Sequence, residues 1–203
     1  MSTIETLAEP EVEAPTTVGF PEHRISTERY LKMIEAGVFE DGEPIFLWDG
    51  KLVEEMTKGI PHNLASDGLN YLLIGLVPRG WFVRVEKPIL MEDGSVPEPD
   101  LMIVRGSLRD YAQRETVPAD VVISIEIADS SLLQDLRVKL PVYARAGIPV
   151  YWLVNIPNCR LEVYDGPTAS GYAQRRDFGP DDEVPVVLDG REVGRIAASE
   201  FLR

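Results

Sequence analysis

The sequence predicts a mixed α/β (α+β) fold, a central mixed β-sheet flanked by helices. Three observations lead there. Apolar runs of strand length, Asp100–Val104, Asp120–Ile127 and Pro149–Ile156, are bounded by Pro, Asn and charged residues. Two other stretches, around 62–77 and 131–146, carry apolar residues at helical spacing. The elements come in the order αββα, then βββαββ, which suits a mixed sheet with helices packed against it. With 203 residues, 44% of them hydrophobic, the chain can build one sizeable core.

Residues 1–22 are rich in Glu, Pro and Thr and read as a disordered, acidic N-terminal arm. The expected organisation is therefore that arm followed by a single domain over 23–203. Ser26 or Thr27 can cap a helix carrying Tyr30, Leu31, Met33 and Ile34, which stops at Gly37. Asp49-Gly50 is a two-residue hairpin turn between Ile45–Trp48 and Leu52–Glu55. From His62 to Val77, Leu64, Leu69, Leu72, Leu73 and Leu76 predict a helix that Gly68 and Gly75 weaken. Strands follow over roughly Trp81–Ile89, Asp100–Val104 and Asp120–Ile127. Ser130 or Ser131 caps a helix running to Ala146, with Gly147 as its stop and a bend at Pro141. Pro149–Ile156 and Arg160–Asp165 pair around Pro157-Asn158. The tail, with Phe178, Val184–Leu188 and Ile196, suggests short peripheral strands.

Composition narrows the function. No run approaches the roughly 20 apolar residues that span a bilayer, and no export signal is visible, so no membrane partner and a cytoplasmic location are expected. Cys159 is the only cysteine, which rules out an internal disulfide and a thiolate zinc site. The net charge of −14 argues against a broad DNA-binding surface. It divides as −8 over residues 1–61 and −6 over the rest, leaving room for a local basic lip of Arg105, Arg109, Arg114, Arg137 and Arg145.

Three charged residues stand against this apolar background. Asp100 opens one strand run, as a backbone-bonded turn carboxylate or as a ligand. Glu126 ends an aliphatic run expected to be buried on both faces, where an isolated carboxylate is costly, so it pairs with a cation or marks a site. Lys139 lies beside the stripe Leu132, Leu136, Leu140, Tyr143, either as an i,i+4 partner of Asp135 or as a site residue. If the two runs are neighbouring strands, the acids meet over one spot. Two carboxylates suffice for Mg²⁺ or Mn²⁺, which prefers hard oxygen ligands and keeps several waters. Such an ion activates water and offsets phosphate charge, and a lysine beside it stabilises the transition state.

The block Ile125-Glu126-Ile127-Ala128-Asp129-Ser130-Ser131, then Asp135-x-x-x-Lys139 through Asn155, together with Pro99-Asp100, resembles the Uma2 (DUF820) family. Trp48-Asp49-Gly50-Lys51-Leu52-Val53 and His62 resemble its N-terminal half, so the likeness covers about 25–165. That family is grouped with the PD-(D/E)xK nucleases, and the resemblance implies a restriction-endonuclease-like core. It also implies a divalent-metal-dependent endonuclease hydrolysing DNA phosphodiesters. Asp100, Glu126 and Lys139 would be catalytic, and Asp100, Glu126 and the Ile127 backbone carbonyl would be ligands. Ala128 occupies the usual lysine position, and Lys139 matches the lysine that the resemblance puts on the following helix. Phe46 stands where many relatives carry a glutamate, leaving Glu54 or Glu55 as substitutes. His62, either a helix-start cap or a supporting group, joins Glu54 and Asp135 around the ligands. The expected partners are DNA and a second copy of the chain. The competing expectations are a catalytically weak or inactive fold member acting as a homodimeric interaction module, and a hydrolase of small phosphorylated molecules.

Overall fold

The computed structural model describes residues 22–202; the arm expected over 1–22 lies outside the described residues except for Glu22. Helix α1 (Thr27–Glu35) starts at Ser26, whose hydroxyl accepts the Arg29 N–H. The hairpin β1 (Ile45–Trp48) and β2 (Lys51–Glu54) turns at Asp49-Gly50, both at positive φ, as a tight two-residue turn requires. Helix α2 (Ile60–Leu76) follows.

A six-stranded sheet holds β3 (Gly80–Val85), β4 (Leu101–Gly106), β5 (Val121–Ala128), β6 (Val150–Asn155), β7 (Arg160–Thr168) and β8 (Gly171–Phe178), side by side in chain order. Only β5 and β6 run parallel, so the sheet is mixed. A parallel pair needs a crossover, and residues 132–145 supply it in helical form. The hairpin β9 (Glu183–Leu188) and β10 (Arg191–Ala197) lies apart from this sheet.

Period-two alternation sorts the strand side chains into two cores. Leu101, Ile103, Ile123, Ile125, Ile127 and Trp152 face α2 and the β9–β10 hairpin. Met102, Val104, Tyr151, Leu153 and Tyr164 face the crossover, where Tyr143 joins them. Every residue of β5 is buried. Glu126 therefore projects on the crossover side, in the same alternation as Met102 and Leu153. No helix among the described residues is long and apolar enough to cross a membrane.

Four expectations are corrected. The strand expected over Trp81–Ile89 ends at Val85, because Glu86 takes a left-handed conformation (φ 47°) and Pro88 lacks a donor. Helix α2 turns Ala65, Leu69, Leu73 and His62 inward, while Leu64 is 51% exposed. Of the expected leucines, Leu69 and Leu73 are buried and Leu72 and Leu76 pack against the core, so Leu64 is the one that turns outward, and His62 and Ala65 extend the inward face. The crossover is three segments: α3 (Leu132–Gln134), a π-helical turn (Asp135–Lys139) and α4 (Leu140–Arg145). Pro141 cannot donate within a continuing α-helix, and the wide turn just before it is closed by Leu140 N–H to the Asp135 carbonyl. Finally, β8 joins the central sheet at its edge. Its polar run Gln174–Asp177 is exposed, so it lacks the apolar signature of a core strand.

Candidate active site

At the β4 and β5 ends, the register pairs Leu101 with Ile125, which brings Asp100 beside Glu126. Both carboxylates are buried, at 4% and 2% exposure. Asp100 Oδ2 accepts the Ile127 N–H at 2.8 Å, tying the two strands together at this point. Asp100 Oδ1 faces two basic side chains. Lys58 Nζ lies 3.0 Å away and His62 Nε2 3.1 Å away. The first turn of α2 delivers His62, and the loop leading into that helix delivers Lys58.

Glu126 is held from the crossover. Its Oε2 accepts Lys139 Nζ at 2.9 Å and its Oε1 accepts the Tyr143 hydroxyl at 2.7 Å. The π turn brings Asp135 and Lys139 inward together. Asp135 Oδ1 sits 3.2 Å from the Lys139 ammonium, out of line for a hydrogen bond, and Oδ2 accepts Ser131 Oγ at 2.5 Å. Lys139 thus meets the expected partner Asp135 and, in addition, Glu126. Ser131 spends its hydroxyl on Asp135 rather than on the helix backbone.

These groups border a cavity of about 30 Å³, room for one or two water-sized occupants. Phe46, Lys58, His62, Asp100, Glu126 and Lys139 line it, together with Glu55 and Asp129. The Ile127 side chain lies in the opposite core, so only its backbone borders the cavity. Glu54 is exposed and does not line the cavity; Glu55, one residue along, does. Of the proposed basic lip, Arg105 is paired with Asp189 and Arg114 with Asp120, while Arg109, Arg137 and Arg145 are exposed.

Burial works against every charge here, and the partners decide the outcome. Burial would raise the Asp100 pKa, but hydrogen bonding to His62 and the charge of Lys58 bring it below the ordinary value. His62 is raised, because Asp100 outweighs its desolvation. Glu126 is pushed up to about 8, chiefly by burial, with Asp135 and Asp100 adding and Lys139 opposing. Burial pulls Lys139 down, yet Glu126 and Asp135 more than offset it, so the ammonium keeps its proton.

The donor set bears on a metal ion. Among the described residues no group of three or more His, Cys, Asp or Glu side chains converges as a metal site. Two buried carboxylates with backbone and water oxygens still fit a hard divalent cation, which commonly takes one or two carboxylates. All four carboxylate oxygens already face protein cations or donors, so an ion would enter by displacing one of them.

Lys58 and Tyr143 escape the sequence reading. Lys58 sits in a loop without periodicity, and Tyr143 reads as one more member of an apolar stripe. His62 had a usable signal: with Ala65, Leu69 and Leu73 it falls on the inward face of α2.

Comparison with known proteins agrees with the fold. A crystal structure from Anabaena variabilis, described as "a putative nuclease belonging to DUF820", superposes with a TM-score of 0.63 at 16% identity. The match covers 88% of this chain and 97% of that one. At that identity the likeness speaks for the fold alone. No curated protein matches the chain. The model of the Uma2 family, described as "Putative restriction endonuclease", matches residues 27–196, and the chain belongs to that family.

Proposed function

We propose that the protein is a divalent-metal-dependent endonuclease acting on DNA, with Asp100, Glu126 and Lys139 as its catalytic residues. The observation that carries this reading is the pairing of two buried carboxylates at adjacent strand ends, with the Lys139 ammonium 2.9 Å from one of them. Asp100, Glu126 and the Ile127 carbonyl would hold Mg²⁺ or Mn²⁺, which would supply an activated water and offset phosphate charge. Lys139, which keeps its proton, stabilises developing negative charge rather than acting as a base. Asp135 and Ser131 hold that ammonium in place. His62 orients Asp100 through its Nε2.

The test is cleavage of duplex DNA with Mg²⁺ or Mn²⁺ against a metal-free control. Asp100→Ala and Glu126→Ala should abolish it. Lys139→Ala should lower the rate on the order of 10²- to 10³-fold. Cleavage by the two carboxylate variants at the parent rate would refute the assignment.

A second reading has its own support. Every oxygen of the two carboxylates is satisfied from within the protein, and Phe46 stands where the family resemblance places an acid. That state suits an inactive member acting as a homodimeric interaction module. Absence of Mn²⁺ binding at millimolar concentration, with a dimeric mass by light scattering, would favour it over the nuclease.

A further inference from the structure

Lys58 lies among three carboxylates. Its Nζ is 2.7 Å from Glu86 Oε1, 3.0 Å from Asp100 Oδ1 and 3.7 Å from Glu55 Oε1. This is a cation seat, and a lysine fills it. The backbone around it is specialised: Glu86 adopts φ 47°, uncommon for a non-glycine residue, and its N–H bonds the Asp100 carbonyl. Two of the three carboxylates flanking Lys58 thus meet through the main chain.

Lys58 differs from the other basic groups of the site. The Lys139 side chain is 10% exposed and His62 8%, each locked into a helix. The Lys58 side chain is 23% exposed and rises from the loop before α2. It is the site cation with a route out, and Glu86 and Glu55 can retain it after it leaves Asp100. Withdrawal then exchanges one ion pair for others instead of stranding a charge.

We propose that Lys58 is the resident counter-ion of the site, seated on the Asp100 oxygen that a divalent ion would take, so that lysine and metal are alternatives. This rests on the reading of Asp100 as a metal ligand. Lys58 then sets the metal affinity and keeps the carboxylate pair balanced in the metal-free protein. The apparent affinity of any ligand falls by the fraction of molecules in the competent state. If the lysine-seated arrangement outweighs the open one by about ten to one, removing the ammonium tightens ion binding about tenfold.

The experiment is calorimetric titration of Mn²⁺ into the full chain and into Lys58→Met, Lys58→Arg, Lys51→Met and Lys58→Met/Asp100→Asn. Lys58→Met should bind about tenfold tighter than the parent, and Lys58→Arg should bind like the parent. Lys51→Met, which removes the same charge at an exposed distant pair, should change little. The gain should vanish in the double variant. Thermal melting without metal confirms that each variant is folded before titration. Parent binding that is unimproved by Lys58→Met overturns the proposal and leaves the nuclease reading standing. No binding by either protein overturns both. Binding by Lys58→Met but not by the parent supports the lysine as the block.

Discussion

Glu126 and Asp100 are paired in space but respond to pH in opposite directions. The Glu126 carboxyl, raised to about 8 mainly by burial, holds a proton that the unfolded chain releases near 4.5. Its contribution to stability is full below about 4.5 and is lost as pH rises towards 8. Asp100 is lowered, so its contribution is present above its unfolded value and disappears only as pH falls below it. His62 is raised above 6.5 by Asp100 and adds to the loss on the alkaline side. The parent should therefore lose stability between pH 5 and 8, and Glu126→Gln should flatten that slope, leaving the His62 part above 6.5. Urea midpoints at stepped pH measure it; equal slopes in both proteins would mean that Glu126 is ionised throughout. Lys139, Asp135, Asp100 and Tyr143 all face Glu126, so the neutral variant must be compared at matched ionic strength. Glu126 was visible in the sequence because a charge ending an aliphatic run is expensive, whereas Asp100 and Lys139 stayed open between two readings until the family resemblance singled them out. Lys58 was not visible, since an exposed-looking loop lysine costs nothing until the fold sets it against three acids.

Helix α2 carries the next test, because its two glycines meet different neighbours. Gly→Ala in a helix interior usually stabilises by about 0.5–1 kcal/mol, through the entropy lost by glycine on folding. Gly75 faces open space, with nothing within 4 Å of a built Cβ. Gly68 would place its Cβ 2.7 Å from the Glu200 carbonyl oxygen, a backbone atom that cannot swing aside. Gly75→Ala should therefore stabilise by about 0.5–1 kcal/mol. Gly68→Ala should destabilise by about 1–3 kcal/mol, as overpacking against fixed structure does. Chemical denaturation separates them, and a gain at Gly68 would show that the C-terminal segment is not held against α2. The sequence marked both glycines only as weak points in the helix. The difference lies in Glu200, more than a hundred residues away, and so had no local signature. The π turn before Pro141 was half legible: the proline announced a break, but not that the widened turn would carry Asp135 and Lys139 inward. Strand β8 was read only as a peripheral strand at Phe178, since an edge strand can be polar where a central strand such as β5 cannot.

For the molecule as a whole, the mixed sheet was readable because buried strands are aliphatic and their order constrains the crossovers. What the sequence left open is how a protein of net charge −14 would hold DNA. Each phosphate neutralised by a basic side chain releases counterions, and the salt dependence counts those contacts. Here three of the basic side chains are spent internally, Arg105 on Asp189, Arg114 on Asp120 and Lys58 on Asp100. Arg109, Arg137 and Arg145 stay exposed, but the excess of acids repels phosphate. The proposed nuclease should then need its divalent ion for binding as well as for chemistry. Fluorescence anisotropy with a phosphorothioate duplex, which resists cleavage, tests this directly. Metal-free protein should show no binding at physiological ionic strength, and Mn²⁺ should restore it. The slope of log K against log salt should be shallower than about −3, corresponding to roughly three phosphate contacts. Tight metal-free binding with a steep slope would place the DNA on a basic surface away from Asp100 and Glu126, and their pairing would then be structural.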